Sequence, residues 1–568
     1  MTRVLAIGLD SATGHVLDDL ARRGELTNLA RLRADAARYQ LRSGHGHRHG
    51  MLWPQFIAGT PARFDGAWLR LTFDPDTYEP YQESARYMLE GVEPFWDRAG
   101  VETVSFDVPR TACGGSGVQV TAWGGHAPLY PRASNPPGLL AELDTRFGVH
   151  PAYGNDYGCG WHDPARLDRL TDALVVGASR RADIATHLED RYPWELFLTT
   201  MSETHSLSEF TWHGVDDAHP LAPEWGAHAA AQLRRMHRAV DAAVGRIVAA
   251  APPDTAVLLF SLDAIKTSHG DLPSIVLLPE LLHRQAFGRP LVRDPDQDAW
   301  RAAGYPPVLP RRGRPWRPDL DERLVNPPVE GGVRGAIKRI PGYETLRMTK
   351  PGRMVLDRLR HTTHGALGLP IPAEYRGDYG DAETERESTA MMLFLGHYRP
   401  YWSKMPAFVL PSFGDGYVRI NLQGRERDGV VAPDDYRAAC DAVEQTVREC
   451  VNPRTGSTVA LEVERVEGDP FDNPGARYAD LVIRWREPID AFRHPDVGTI
   501  GPFPLHRTGT HEDGGFLWMS GSGVAPGDEG ERSVLDIPPT ILALLGRRAP
   551  DGLAGRALVP TGGVPQPA

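Results

Sequence analysis

Three short apolar runs, each leading to a residue able to hold a cation, constrain this chain more than any other feature. The first, Arg3-Val4-Leu5-Ala6-Ile7-Gly8-Leu9, ends at Asp10. The second, Trp194 to Met201, runs into Ser202-Glu203-Thr204-His205-Ser206-Leu207-Ser208-Glu209, and the third, Thr255 to Ser261, reaches Asp263. Consecutive rather than alternating apolar residues suit strands covered on both faces, as in a largely parallel α/β sheet. Such sheets bind ligands beyond the carboxyl ends of their strands, where all three polar ends would lie. Each end also has a plainer reading, Asp10 as a helix N-cap and His205 with Glu209 as an i,i+4 surface pair. On a helix, however, His205 and Glu209 share one face and could grip a single ion.

The segments between these runs keep an α/β rhythm. Leu17, Leu20, Leu26, Leu29 and Leu32 mark helix after the first strand. Pro94 to Gly100 followed by Val101 to Val108 reads as helix, Gly stop, strand, and residues 112–160, rich in Gly, Pro and aromatics, read as surface connections. Helices are expected near 165–190 and 226–250, the latter with Leu233, Met236, Val240, Ala243, Val244 and Ile247 on its inner stripe. Residues 284–405 are Pro- and Arg-rich with poor periodicity and read as an inserted cap. Sheet-forming sequence resumes at Gly416 to Leu422, Ala479 to Trp485 and Phe516 to Gly521, with helices near 433–450 and 536–546. The expected organisation is a core formed by 1–283 and 406–568, interrupted by the cap at 284–405.

Composition narrows the function classes. At 568 residues the chain has the length of roughly three to four domain-sized units. A formal net charge of −12 gives no general attraction to nucleic acid or to an anionic membrane, so neither is expected as a partner. No apolar run approaches the roughly 20 residues of a membrane span, and the chain opens on a strand rather than a secretory signal. The four Cys, at 113, 159, 440 and 450, have no CxxC spacing and outline neither a disulfide framework nor a structural zinc site. The expectation is a cytoplasmic enzyme acting on a small, anionic molecule, compatible with a homo-oligomer.

One further stretch stands out. Ser43-Gly44-His45-Gly46-His47-Arg48-His49-Gly50 interleaves three His with Gly and Arg just before Trp53-Pro54-Gln55-Phe56-Ile57-Ala58-Gly59. Gly lets backbone approach a ligand closely and neutral His is a common metal ligand, although a short His-rich tract can also bind metal adventitiously.

Taken in order, Ile7 to Asp10, Leu26 to Leu32, Trp53 to Gly59, Met201 to Trp212, Val257 to Ser261, Tyr417 to Glu426, Gly509-Thr510-His511 and Ser520 to Val524 resemble the type I phosphodiesterase/nucleotide pyrophosphatase branch of the alkaline phosphatase superfamily. The resemblance implies a mixed, mostly parallel sheet between helices, with a variable cap. It also implies two divalent ions, usually zinc, flanking a Thr or Ser nucleophile. Asp10 and His511 match family ligand positions directly. The family's Asp-x-x-x-His pair falls on His205 and Glu209 with the residue types exchanged, and its Asp-His pair falls on Leu262 and Asp263. An alternative register puts His269 of Ser268-His269-Gly270 in place of Asp263. The nucleophile position falls on His49, which could act as a ligand, a general base or a phosphohistidine nucleophile. Ser43, Ser11 and Thr13 are substitute hydroxyls.

The metal set implied is Asp10, His49, His205, Glu209, Asp263 and His511, three imidazoles and three carboxylates suited to one or two Zn, Mn or Fe ions. With no hydroxyl at the attacking position, a metal-bound water is the economical nucleophile. The leading expectation is thus a metal-dependent hydrolase of a phosphodiester, pyrophosphate or related ester. The alternative is a non-hydrolytic metalloenzyme, a lyase, transferase or redox-metal catalyst of specialised metabolism, and a third reading is a catalytically inactive binding protein on the same scaffold.

Overall fold

The computed structural model describes residues 3–43, 52–61, 71–82, 93–111, 113–124, 132–153, 161–309, 316–325, 394–412, 414–466, 468–472, 479–521 and 523–558. Among these residues the largest element is a nine-stranded sheet. Its order across the sheet is Gly527–Ser533, Ala37–Arg42, Gly515–Ser520, Thr255–Ser261, Arg3–Leu9, Leu196–Met201, Thr103–Phe106, Val118–Thr121 and Ala133–Asn135. The first strand sits in the middle, parallel to both neighbours, with Val4 opposite Leu196 and Ala256. Gly515–Ser520 and Ala133–Asn135 join antiparallel, so the sheet is mixed but mostly parallel, as expected.

Apolar continuity in the central strands follows from their burial on two sides. Leu5, Ile7 and Leu9 belong to one core cluster together with Phe197, Met201, Leu233, Val240 and Val244. Val4 and Ala6 point into the other, with Leu198, Phe260, Phe56, Leu517 and Ile541. Fully burying each large side chain contributes about 1.5–3 kcal/mol, which is why the one charge in these strands, Arg3, stands at an exposed end. The first cluster is roofed by two long helices, Pro164–Arg191 and Ala227–Ala250. Asp163 caps the former by accepting from Arg166 N, with Pro164 in the first turn, where its missing N–H costs nothing.

One expectation needs correction. Residues 112–160 are not only surface connections: they supply the last two strands of the sheet, Val118–Thr121 and the edge strand Ala133–Asn135, and the helix Leu139–Phe147, and Trp123, Leu139 and Leu143 are buried. Strands of three or four residues separated by Gly and Pro carry too few positions to show a period. The strands within 416–422 and 479–485 lie outside the main sheet. With Ala407–Leu410 and Ala460–Arg465 they make a separate four-stranded antiparallel sheet.

At the expected cap, the helix Leu278–Phe287 runs across position 284 without a break. Its Glu280 accepts from Leu291 N, Val292 N and Tyr398 Oη, the last at 2.7 Å, and so ties the two described flanks of the segment to one carboxylate. No described helix is long and apolar enough to cross a membrane.

Candidate metal centre

Beyond the carboxyl ends of the three central strands, five of the six candidate ligands come together. Asp10 follows the first strand directly, and the next residue, Ser11, takes a left-handed backbone conformation (φ 52°) that turns the chain sharply away. For a residue other than Gly this is a strained conformation, of the kind that clusters at functional sites. His205 and Glu209 lie one turn apart on the buried helix Glu203–Thr211, which starts where the second strand ends. Asp263 lies just past the third strand, at the start of a two-stranded antiparallel ribbon of Ala264–Thr267 with Gly509–Glu512. In that ribbon His511 stands opposite Ile265.

The imidazoles link these elements. His205 Nδ1 lies 2.9 Å from Asp10 Oδ2, and His511 Nδ1 lies 2.8 Å from Asp263 Oδ2. The two rings meet edge to face, 4.7 Å between centroids. Their Nε2 atoms turn toward one oxygen, Glu209 Oε1, at 3.7 Å from His205 and 3.6 Å from His511. Those separations are too long for hydrogen bonds. They match two ligand atoms sharing an ion, because bonds of about 2.1 Å place such atoms roughly 3–4 Å apart. One ligand atom from each of His205, Glu209 and His511 lies within 4.8 Å of the others, and among the described residues this is the only such group of three. Two imidazoles and a carboxylate are donors that suit Zn, Mn or Fe, so the residues present fit a first-row divalent ion.

Two glycines make room for this arrangement. A Cβ on Gly8 would meet the Trp53 ring at 2.7 Å; without one, Trp53 lies across the first strand and its Nε1 donates to Asp10 Oδ1 at 2.8 Å. A Cβ on Gly509 would meet Ser208 O at 3.0 Å and Glu209 Cα at 3.1 Å, so Gly at that point lets the ribbon pack against the ligand-bearing helix. Thr508 N then donates to Glu209 O at 3.1 Å.

Charge is concentrated here. Burial opposes protonation of His205, but Asp10 and Glu209 outweigh it and push its pKa up to about 10. Burial also opposes ionisation of Glu209, yet Arg507, His205 and His511 hold its carboxyl well below the usual range. Arg507 donates through Nη1 to Glu209 Oε1, and through Nε and Nη2 to Asp271 at 2.5 and 2.7 Å. Asp271 is held low by the same guanidinium against the effect of burial.

Behind the helix a second buried set anchors its start. Arg181 donates to Glu203 Oε1 at 3.0 Å and to Asp107 Oδ2 at 2.7 Å, and His150 Nε2 lies 3.1 Å from Glu203 Oε1.

Of the remaining candidates, His49 lies outside the described residues, as do the rest of 44–51. His269 takes no part in the cluster: its electrostatic neighbours are Lys266, Asp216 and Glu487, and Asp263 is the residue that touches His511. Ser11 Oγ approaches His511 Nδ1 at 3.3 Å, while Thr13 Oγ1 is occupied by the backbone of Ile265, accepting from its N at 2.9 Å. Ser43 Oγ donates to Asp513 Oδ1 at 2.9 Å. Sequence reasoning missed Trp53, Arg507 and Asp271 as site residues. Only four of the 62 basic residues are Lys, and nothing local sets Arg507 apart from so many other Arg.

No family model matches this sequence, and no curated protein does either. Solved structures do. The chain is similar to phosphonoacetate hydrolase from Sinorhizobium meliloti 1021 at 11% identity, with 96% of this chain and 95% of that chain covered and a TM-score of 0.44. It is similar to human ectonucleotide pyrophosphatase/phosphodiesterase 5 at 8% identity (98% and 97% covered, TM-score 0.42) and to the alkaline phosphatase PafA at 10% identity (98% and 99% covered, TM-score 0.43). These are alkaline phosphatase superfamily structures. The chemistry of the present centre is read from its own residues.

Proposed function

We propose that this chain is a metal-dependent hydrolase acting on a phosphodiester, pyrophosphate or related ester, with water as the attacking group. The observation that carries the reading is the convergence of His205, Glu209 and His511 beyond the carboxyl ends of adjacent parallel strands. It is the place in the chain's order where the resembled family keeps its ions. A bound divalent ion would supply Lewis acidity toward an anionic oxygen and toward water. The chain's own residues hold the imidazoles in orientation through Asp10 and Asp263, and fix the Glu209 carboxylate through Arg507.

Metal analysis of the purified full chain should find about one or two bound transition ions, removed by a chelator and lost in His511→Ala. Hydrolysis of bis(p-nitrophenyl) phosphate should disappear with the metal and return when it is restored. A folded protein that takes up no metal would overturn the reading.

A second reading, a non-hydrolytic metalloenzyme, is favoured by one observation: two imidazoles and one carboxylate are also the set that non-haem iron(II) oxygenases use. Stoichiometric bound iron together with no turnover of any phosphate ester would select it.

A further inference from the structure

The hydrogen bonds around the centre divide its residues into two layers. Each of the two imidazoles has an outer carboxylate partner on the side away from the convergence point, while Glu209 is held at the convergence oxygen itself. His205 turns Nε2 toward Glu209 and Nδ1 toward Asp10, whose other oxygen, Oδ1, accepts from Trp53 Nε1 at 2.8 Å. His511 turns Nε2 toward Glu209 and Nδ1 toward Asp263 at 2.8 Å. Glu209 is held through Oε1 by Arg507, and Arg507 in turn by both oxygens of Asp271. Metal-ligating imidazoles characteristically donate the N–H of the second ring nitrogen to a carboxylate, which fixes the tautomer and raises ligand basicity. Both imidazoles here have that arrangement.

An ion placed instead between a ring Nδ1 and its aspartate would have a less complete set. Among the described residues His205 Nδ1 stands beside one carboxylate, Asp10, and His511 Nδ1 beside Asp263 and the neutral Ser11 hydroxyl at 3.3 Å, whereas the Nε2 side gathers two imidazole nitrogens and a carboxylate from three residues. The two aspartates also stand beside different rings, so one ion could not take the Nδ1 atoms and the Nε2 atoms together.

Resting on the proposed metal dependence, we infer that the centre holds a single divalent ion ligated by His205 Nε2, His511 Nε2 and Glu209, and that Asp10 and Asp263 are positioning residues that orient the two imidazoles rather than ligands. The first and third strands thus end in the groups that aim the ligands, and the helix and the ribbon carry the ligands themselves.

The test is a titration of the chelator-stripped full chain with Co(II), followed by calorimetry and by the visible ligand-field band. Saturation is expected at one equivalent. Asp10→Asn and Asp263→Asn should keep that stoichiometry and the band while binding about 10–100-fold more weakly. His205→Ala and His511→Ala should lose the band. Saturation at two equivalents, with either Asp→Asn variant losing one of them, would overturn the inference and leave the metal-dependent reading standing. So would a wild-type-like titration in His205→Ala, which would place the ion elsewhere, for instance on the 45–49 histidine tract. A wild-type chain that binds no Co(II) would overturn both. Because wild-type stoichiometry alone separates one ion from two, the result does not depend on every variant folding.

Discussion

At the scale of single residues, Gly8 and Trp53 show how the centre is built from what is left out. The missing Cβ lets an indole lie across a central strand, and the indole N–H then fixes the carboxylate that aims His205. Trp53→Phe keeps an aromatic ring but removes the donor together with part of the buried indole. It should lower stability by at least about 1.5–3 kcal/mol, the worth of a hydrogen bond to a charged group, measurable as a lower denaturant midpoint at unchanged slope. Gly8→Ala should be worse, because the added methyl meets the ring at 2.7 Å and must displace it. Asp10, His205 and Glu209 can be singled out in the sequence because strand ends and helical spacing are written locally, whereas His511 is picked out only by the family resemblance. Trp53 and Arg507 are picked out by neither: their partners lie 43 and 298 positions away, and nothing in their neighbours names them.

Among elements, the short helix Glu203–Thr211 carries the most chemistry and is held at both ends by buried arginines. Arg181 anchors its first turn through Glu203, and Arg507 its ligand through Glu209. Arg181 is wholly buried between two carboxylates, so Arg181→Ala would leave Asp107 and Glu203 without their counter-charge and should cost about 3–5 kcal/mol. Thermal melts of Arg181→Ala against the wild type test it, and a loss below about 1 kcal/mol would contradict the account. Long elements could be placed from sequence because Pro164–Arg191 and Ala227–Ala250 repeat their apolar stripe over many turns. The strands Val118–Thr121 and Ala133–Asn135 repeat nothing, and the alternation in Gly416–Ile420 identifies a strand without saying which sheet receives it.

For the whole molecule, buried histidines outside the centre set the response to acid. Burial lowers His213 to about 3, and His219, His237 and His283 to about 4. Their unfolded pKa lies near 6.5, so the unfolded chain takes up protons that the folded chain refuses. Their contribution is therefore fully present above about pH 6.5 and is lost as pH falls toward 4. Burial raises Glu189 to about 8 and Asp415 to about 7, which opposes the trend, but four histidines outweigh two carboxyls. The midpoint of urea unfolding should therefore fall between pH 6.5 and 4.5, and a midpoint that rises across that window would contradict the account.

The ribbon that pairs Ala264–Thr267 with Gly509–Glu512 has a consequence in time as well as in space. A chain growing from its amino end can lay down the three central strands and the helix bearing His205 and Glu209 long before His511 exists. The last ligand is delivered by a strand that must find its place against a nearly finished body, with Gly509 slipping past the helix backbone and Ile265 waiting opposite. Capture of a metal ion would then be a late event, and a loaded centre would certify that the two distant ends of the sequence have already met.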